Sequence, residues 1–195
     1  FSNYDEPKIC IETNNEYNCD YHSQCVQSKF NQPIQLNHNL TYLTLGNRFN
    51  QPIQLNHNLT HLTMGAVFNQ PIQLNQNLTH LVLGYCFNQP IQLTDKIKYL
   101  GLTSNPHNLI DNLPNGIEEL VLERNFNFAM NNLPTSIKII EMNHRYFYNY
   151  DHELNCLPYS IECLKLSKLY DKKISNIPKG LKKIVCSKDY KFIDD

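Results

Sequence analysis

Cysteine and histidine residues near the start of the chain are of the types that bind zinc. Cys10, Cys19, His22 and Cys25 offer four sulfur or nitrogen ligands, which is the number that a structural Zn²⁺ site requires. Their spacing, Cys-x8-Cys-x2-His-x2-Cys, matches no common zinc module, and spacing alone specifies little. A zinc site, a disulfide-bonded cap and a polar cap with free thiols all remain open. We favour the last, and we predict no bound metal and no cofactor.

Two histidines recur at the same place in adjacent repeats. They are His61 and His80, and Tyr42 and Tyr99 flank them, each one further repeat away along the chain. Two imidazoles about 5 Å apart could bind a metal, but no carboxylate or third histidine completes the set. We therefore interpret the four rings as a solvent-facing aromatic surface. We also predict that like-charge proximity lowers the pKa of both histidines, so that stability is lost below about pH 6.5.

Residues for catalysis form no recognisable constellation. The chain has six Gly and no Gly-rich phosphate loop. His152 and Cys156 lie close in sequence, but their surroundings match no known nucleophile context. We predict that the protein is not an enzyme, and we keep a zinc- or thiol-dependent enzyme as the alternative from another class.

The elements that must position these residues follow from a repeated phrase. Phe-Asn-Gln-Pro-Ile begins at Phe30, Phe49, Phe68 and Phe87, so the interval between copies is constant. A second pattern, apolar-x-x-apolar-x-apolar, continues through eight coils at the same or a slightly longer interval. Its middle residues are Leu43, Leu62, Leu81, Leu100, Leu120, Ile140, Leu164 and Ile184. A fixed period of about 20 residues predicts a solenoid whose coils bury their apolar faces against one another.

The pattern within each coil predicts a mainly β fold. The alternating end of each triplet is typical of a short strand, and strands that all run the same way form a parallel sheet. Every return leg contains Pro, so we expect extended or polyproline-like backbone there and no helix. The sequence therefore predicts a solenoid of eight 19–24-residue coils with a parallel sheet of short strands and a non-helical return leg.

Two residues of the phrase are each expected to form a series from coil to coil, with Phe facing inward and Asn next to it. The Phe side chains should stack, and later coils keep that position loosely with Pro106, Phe126, Tyr150 and Tyr170. The Asn after each Phe can satisfy backbone groups in the bend and form hydrogen bonds from coil to coil. We interpret both series as structural rather than ligand-binding.

Phe-Asn-Gln-Pro-Ile followed by Leu-Thr-His-Leu-Thr-Met-Gly resembles the FNIP repeat family, an offshoot of the leucine-rich repeats found in social amoebae and in giant viruses that infect amoebae. The resemblance is specific from Phe30 to about Tyr99 and weaker from Pro106 to Tyr190. These coils are short for the family. The first three also lack the Pro that normally precedes the strand and carry Asn there, at Asn37, Asn56 and Asn75.

The resemblance implies a leucine-rich-repeat-like module that binds other proteins. Some members of the family carry an F-box upstream, which makes them substrate receptors of a ubiquitin ligase. Residues 1–29 are too few and too polar to form an F-box. Our first hypothesis is therefore an interaction scaffold, and the ubiquitin-ligase receptor is the second. We predict an N-terminal cap at 1–29, the solenoid at 30–189 and a C-terminal tail at 190–195.

Composition narrows the kind of partner. The net charge is −1 and only 18% of residues are charged, so nothing indicates binding to nucleic acid or to an acidic membrane surface. No stretch is apolar enough to span a bilayer. We expect a monomer whose partner is a protein. Because tyrosine is favoured at interfaces, we predict Tyr42, His61, His80 and Tyr99 as the contacts.

Cysteine usage indicates the compartment. Seven Cys is an odd number without a disulfide framework, so we predict a cytoplasmic protein, in the host cytoplasm if it is viral. We expect Cys86, Cys163 and Cys186 to be small buried side chains. The formal glycosylation acceptors Asn39, Asn58 and Asn77 recur because the repeat recurs, and secretion stays the alternative.

Overall fold

The computed structural model describes residues 8–10, 29–123, 126–143 and 150–192, whose strands form one parallel sheet. The strand order in the sheet is the order in the chain, and each strand pairs with the next in parallel. The mainly β solenoid predicted from the sequence is confirmed. The strands are β1 Lys8–Cys10, β2 Tyr42–Thr44, β3 His61–Thr63, β4 His80–Leu83, β5 Tyr99–Leu102, β6 Glu119–Glu123, β7 Ile139–Asn143, β8 Cys163–Lys165 and β9 Lys183–Val185.

The register of the sheet follows the sequence repeat. Leu43 pairs with Leu62 and Leu62 with Leu81, and the series continues strand by strand to Ile184. Strands β2 to β9 are thus the eight predicted coils, numbered here one to eight. Strand β1 lies in the segment assigned to the cap and places Ile9 beside Leu43, so that the described residues form nine strands.

The core is a spine of inward side chains with the phenylalanine stack beside it. Phe49, Phe68 and Phe87 are at most 1% exposed. Their neighbouring ring centroids are 6.3 Å apart and their planes lie within 9° of parallel, which is an offset stack. Phe30 stacks on Phe49 at 6.2 Å and is 38% exposed because it is the first ring of the series. The predicted stack is confirmed.

Tyrosines take over the stack position in the later coils. Pro106, Phe126, Tyr150 and Tyr170 are all buried, as predicted. The Tyr150 hydroxyl donates a hydrogen bond to the Phe128 carbonyl at 3.0 Å. The hydroxyls of Tyr170 and Tyr190 repeat this contact one coil at a time, to the carbonyls of His152 and Lys172. Burial raises the pKa of Tyr150 and Tyr170, which keeps both hydroxyls protonated as donors.

Asparagine side chains join successive bends, as predicted. The backbone N–H groups of Asn50, Asn69 and Asn88 donate to the Oδ1 atom of the asparagine one coil earlier, at 2.8–2.9 Å. This series, from Asn31 to Asn88, is called the amide ladder below. The Oδ1 atoms of Asn31, Asn50 and Asn69 each accept a backbone N–H of the next coil, so identical residues can follow one another with these N–H groups paired.

A second asparagine series stabilises the turn before the strand in the first coils, which lack proline at that position. Asn56 Nδ2 donates to the carbonyls of Asn37 and Leu40, at 2.8 and 3.0 Å. Its Oδ1 accepts the backbone N–H of Asn58 at 2.8 Å. Asn75 repeats these contacts one coil later. The side-chain amide therefore forms hydrogen bonds within its own turn and also to the preceding coil.

The return leg of coil four to coil five departs from the prediction. A short 3-10 helix, Pro106–Asn112, crosses a kink at His107 and Asn108, whose φ values are 46° and 55°. Proline at its start suits a first helical position, and Asn105 Oδ1 accepts the Ile110 N–H at 2.9 Å inside the turn. The expectation of no helix is wrong for this leg. The other return legs described here contain none.

The cysteine predictions have mixed outcomes. Cys86 is exposed because it lies in the turn that follows β4, so its predicted burial is wrong, whereas Cys163 and Cys186 are half-buried. Of the four candidate zinc ligands, Cys10 belongs to β1, and Cys19, His22 and Cys25 lie outside the described residues. Among the residues that are described, no three His, Cys, Asp or Glu side chains are grouped to hold a metal ion. No helix in this part of the chain is long and apolar enough to cross a membrane.

Candidate binding face

One face of the sheet carries the four rings that the sequence singled out. Tyr42, His61, His80 and Tyr99 open strands β2 to β5 and are direct neighbours in the parallel register. All four are half-buried, while the leucine that follows each of them points into the core. The structure therefore brings together every residue predicted for the partner site. We call this set the aromatic column.

The rings of the aromatic column stack on one another. The ring centroids of Tyr42 and His61 are 4.0 Å apart and those of His61 and His80 are 3.9 Å apart, with planes within 21°. His80 and Tyr99 follow at 5.6 Å. Because each ring covers the face of the next, the column turns its ring edges and polar tips outward.

Threonine hydroxyls hold the two imidazoles in place. Thr60 Oγ1 donates to the Thr41 carbonyl at 3.1 Å, and Thr79 Oγ1 donates to the Thr60 carbonyl at 3.2 Å. The same two hydroxyls lie 2.8 and 2.9 Å from the Nδ1 atoms of His61 and His80. A hydroxyl has one hydrogen, so a threonine that donates to the carbonyl can only accept from an Nδ1–H group, and Nε2 is then the acceptor nitrogen of the imidazole.

Two rings of the aromatic column, His80 and Tyr99, are uncharged near neutral pH. Burial lowers the pKa of His80, and the nearby Glu119 carboxylate opposes that shift. The direction predicted for His80 is confirmed, but the predicted cause is wrong: desolvation of the imidazole is the main effect. Burial, with smaller contributions from Glu123, Glu119 and Glu141, raises the pKa of Tyr99 to about 12.

Beside the aromatic column, the second outward position of strands β2 to β5 carries small side chains or none. Thr44, Thr63 and Val82 occupy it in the first three coils, and Gly101 follows. A Cβ atom at position 101 would lie 3.1 Å from both γ carbons of Val82. Any side chain at position 101 would therefore displace the side chain of Val82. Glycine leaves no side chain projecting from the sheet beside Tyr99.

A series of charged residues continues the face into the later coils. The position before each strand is threonine in the first three coils and then alternates between lysine and glutamate. We call the alternating residues the charge ladder: Lys98, Glu118, Lys138, Glu162 and Lys182. Glu118 contacts its two lysine neighbours at 3.0 and 2.8 Å, and Lys182 contacts Glu162 at 2.9 Å. Hydrogen bonds from both lysines lower the pKa of Glu118 to about 2.

The charge ladder was missed at the sequence level, although its signal is present. The alternation of sign at one register position is visible once the coils are aligned by their strands. Glu141 and Lys165 form a further ion pair on the outward face of β7 and β8. The later coils therefore join their surface positions by opposite charges, where the first coils use hydroxyls and rings.

The other candidate residues do not assemble into a site. His152 Nε2 lies 3.1 Å from the Asn127 carbonyl, and its ring packs beside Tyr150. Cys156 is exposed in a turn. A second pair of histidines at equivalent positions, His38 and His57, is exposed in the turns before β2 and β3. His152 thus has a structural role, and the other three side chains face solvent.

Comparison with known proteins supports the repeat assignment. Residues 30–66, 68–103 and 105–144 match the family model described as FNIP Repeat. No curated protein matches the chain. One similar solved structure is described as "The crystal structure of CroV588 a novel circular LRR protein structure", with 24% sequence identity and a TM-score of 0.41. The match covers 81% of this chain and 35% of that one, so the chain spans about a third of that protein's length.

Proposed function

This chain belongs to the FNIP repeat family, and from that premise we propose that its solenoid is a non-enzymatic module that binds a partner protein through the aromatic column. Repeat solenoids present rows of side chains from equivalent positions and use them as extended binding surfaces. The observation that carries the proposal is the continuous stack of Tyr42, His61, His80 and Tyr99 on the outward side of the sheet.

The aromatic column has the physical properties of an interface centre. Stacking and the threonine contacts fix the rings before a partner arrives, so little side-chain entropy is lost on binding. Tyrosine is among the residues that dominate binding energy at interfaces. His80 and Tyr99 are neutral near pH 7, so a partner can cover these two rings without desolvating a charge.

The polar tips of the column define what the partner must offer. With the Thr79 hydroxyl donating to the Thr60 carbonyl, the His80 imidazole holds its proton on Nδ1 and offers Nε2 as an acceptor beside the Tyr99 hydroxyl. We propose a partner surface that supplies hydrogen-bond donors at intervals close to the strand spacing of about 4.8 Å. We further propose that the module acts as a monomer in the cytoplasm. The exposed thiols of Cys86 and Cys156 favour a reducing compartment.

The proposal is tested by capture from cell lysate with the full chain as bait. Replacing Tyr42, His61, His80 and Tyr99 together by alanine should remove the specific partners that the unchanged chain retains. The matched control replaces Gln35, Gln54, Gln73 and Gln92, which are exposed on the return legs of the same coils. The control should retain the partners, because it changes four exposed side chains on a different surface.

Circular dichroism and thermal unfolding of both quadruple variants establish that they fold. A folded column variant with an unchanged partner list would overturn the assignment of the site. Loss of partners in both variants would show that the contacts are not confined to the aromatic column.

A further inference from the structure

The turn before β6 contains the one Asn-Gly pair of the sequence, Asn115-Gly116. Asn115 is exposed, and its side-chain amide takes part in none of the hydrogen bonds found among the described residues. Asparagines in the turns of earlier coils are held in place. The Nδ2 atoms of Asn58 and Asn77 each donate at 2.8 Å to a carbonyl of the preceding coil. Asn115 therefore combines an amide without such an anchor and a following residue without a side chain.

An asparagine that precedes glycine can react with its own backbone, and asparagine is among the thermolabile residues. The Gly116 nitrogen attacks Cγ of Asn115, because glycine places no Cβ atom in the path of the attack. The N–Cγ bond forms, the Cγ–Nδ2 bond breaks, and Nδ2 takes up the Gly116 amide proton and leaves as ammonia. Water then opens the cyclic imide at either carbonyl, which gives aspartate or isoaspartate. The only co-reactant is water.

The surroundings of Asn115 leave room for this reaction. The turn borders a groove of about 300 Å³, which Lys98, Glu118 and Lys138 line together with Asn115 and Gly116. These lining residues are charged or polar, and the lysine and glutamate side chains are about half exposed. Water therefore reaches the turn, and the Asn115 amide can rotate onto the backbone of Gly116 without displacing a packed side chain.

The products fit the turn less well than asparagine does. A Cβ atom at Gly116 would lie 2.1 Å from the Asp95 carbonyl oxygen, so the backbone packs directly on coil four. Isoaspartate adds one methylene to the backbone next to this close contact. Asp95 and Asn115 also occupy equivalent positions, each four residues before the paired residues Tyr99 and Glu119. Either product therefore places a second carboxylate next to Asp95, which adds repulsion.

We propose that Asn115-Gly116 is a site of spontaneous deamidation in the folded protein, and that its conversion loosens the contact between coils four and five. Because no enzyme is required, the converted fraction grows with the age of the molecule. The site lies in the turn before β6, outside the aromatic column. The inference therefore stands independently of the proposed binding function.

The test follows the intact chain during incubation in neutral buffer, with peptide mapping by mass spectrometry. A blocked peptide with the sequence of residues 113–119 gives the rate without the fold. We expect Asn115 to convert at least about tenfold faster than Asn77, which is exposed but has a hydrogen-bonded amide and precedes leucine. We also expect its rate in the folded chain to lie within about tenfold of the rate in the peptide, because the turn is exposed.

Thermal unfolding measures the consequence of the conversion. Asn115→Asp, freshly prepared, carries the added charge without the longer backbone. The incubated chain should melt at a lower temperature than Asn115→Asp, and Asn115→Asp at a lower temperature than the fresh unchanged chain. Asn115→Gln is the matched control, because its amide would have to close a larger ring. Its melting temperature should stay constant during the same incubation.

Two results would overturn the proposal. If Asn115 stays intact while the peptide is fully converted, the fold prevents the attack of the Gly116 nitrogen. If the converted chain melts at the same temperature as the fresh chain, the contact between coils four and five does not depend on this turn.

Discussion

The first and last halves of the solenoid contribute to one parallel sheet but carry different chemistry. The early coils repeat identical rungs: phenylalanine on phenylalanine, asparagine on asparagine and threonine on threonine. The later coils stack tyrosines anchored through their hydroxyls and alternate lysine with glutamate. Both halves keep the inward spine. The parallel sheet therefore depends on the spine, while the surface rungs can be satisfied in two ways.

The difference follows from what can be stacked on itself. The asparagine amide oxygens accept from backbone N–H groups and the threonine hydroxyls donate to backbone carbonyls of a neighbouring coil, so identical copies can follow one another along the axis. Aromatic rings stack on their own kind. Identical charges repel at the strand spacing, so a charged position has to alternate. Only neutral residues can therefore be repeated unchanged in successive coils. The adjacent histidines of the aromatic column fit this rule only while they are neutral.

The largest expected effect is at the ring stack. Phe68→Ala should lower the free energy of unfolding by about 3–5 kcal/mol, because it opens a cavity between two buried rings. In the later half, Tyr150→Phe keeps the ring and loses one hydrogen bond, so about 0.5–1.5 kcal/mol is expected. Urea unfolding monitored by circular dichroism measures both. Similar losses for the two variants would contradict the view that ring packing dominates each rung.

The second-largest loss of stability is expected in the bends, where equivalent asparagines of the two halves can be compared. Asn50→Ala leaves the partly buried Asn69 N–H without its acceptor, which should cost about 1–2 kcal/mol in the same unfolding measurement. Asn127→Ala removes the equivalent acceptor of the Asp151 N–H, which is exposed to water, and should cost less. Gln54→Ala, exposed in the same coil as Asn50, is the control with no expected change. A larger loss at Asn127 than at Asn50 would refute the ranking.

A smaller effect is expected from the charge ladder. Glu118→Lys would place three lysines in succession and should destabilise the later half, less than Asn50→Ala does because all three side chains are exposed. The loss should shrink in 1 M NaCl, where charges are screened over about 3 Å. Glu118→Gln removes the attraction without adding repulsion. Its stability should lie between that of the unchanged chain and that of Glu118→Lys. A loss that does not depend on salt would mean that the ladder acts through packing instead of charge.

Most of the fold was predictable, because the repeat period and the apolar triplet together determine which residues lie side by side in the sheet. Placing Leu62 beside Leu81 requires only that coils of equal length bury the same position. The 3-10 turn at Pro106 was not predictable in this way, since it depends on the local contact of Asn105 with Ile110. Stacking within the aromatic column follows from the register, but the lowered pKa of His80 comes mainly from burial, which the pattern alone does not quantify.

The smallest effect tests whether the early half needs neutral histidines. The pKa of His80 is lowered in the folded chain, so the unfolded chain takes up a proton first, near pH 6.5. Below that pH, protonation favours the unfolded state, and stability falls until the folded-state pKa is reached. Thermal unfolding between pH 7.5 and 5 should show a decline that His80→Gln reduces. Glu119→Gln should steepen it, because that carboxylate raises the pKa of His80 in the folded chain. A melting temperature that stays flat over this range would remove His80 as a pH-sensitive group.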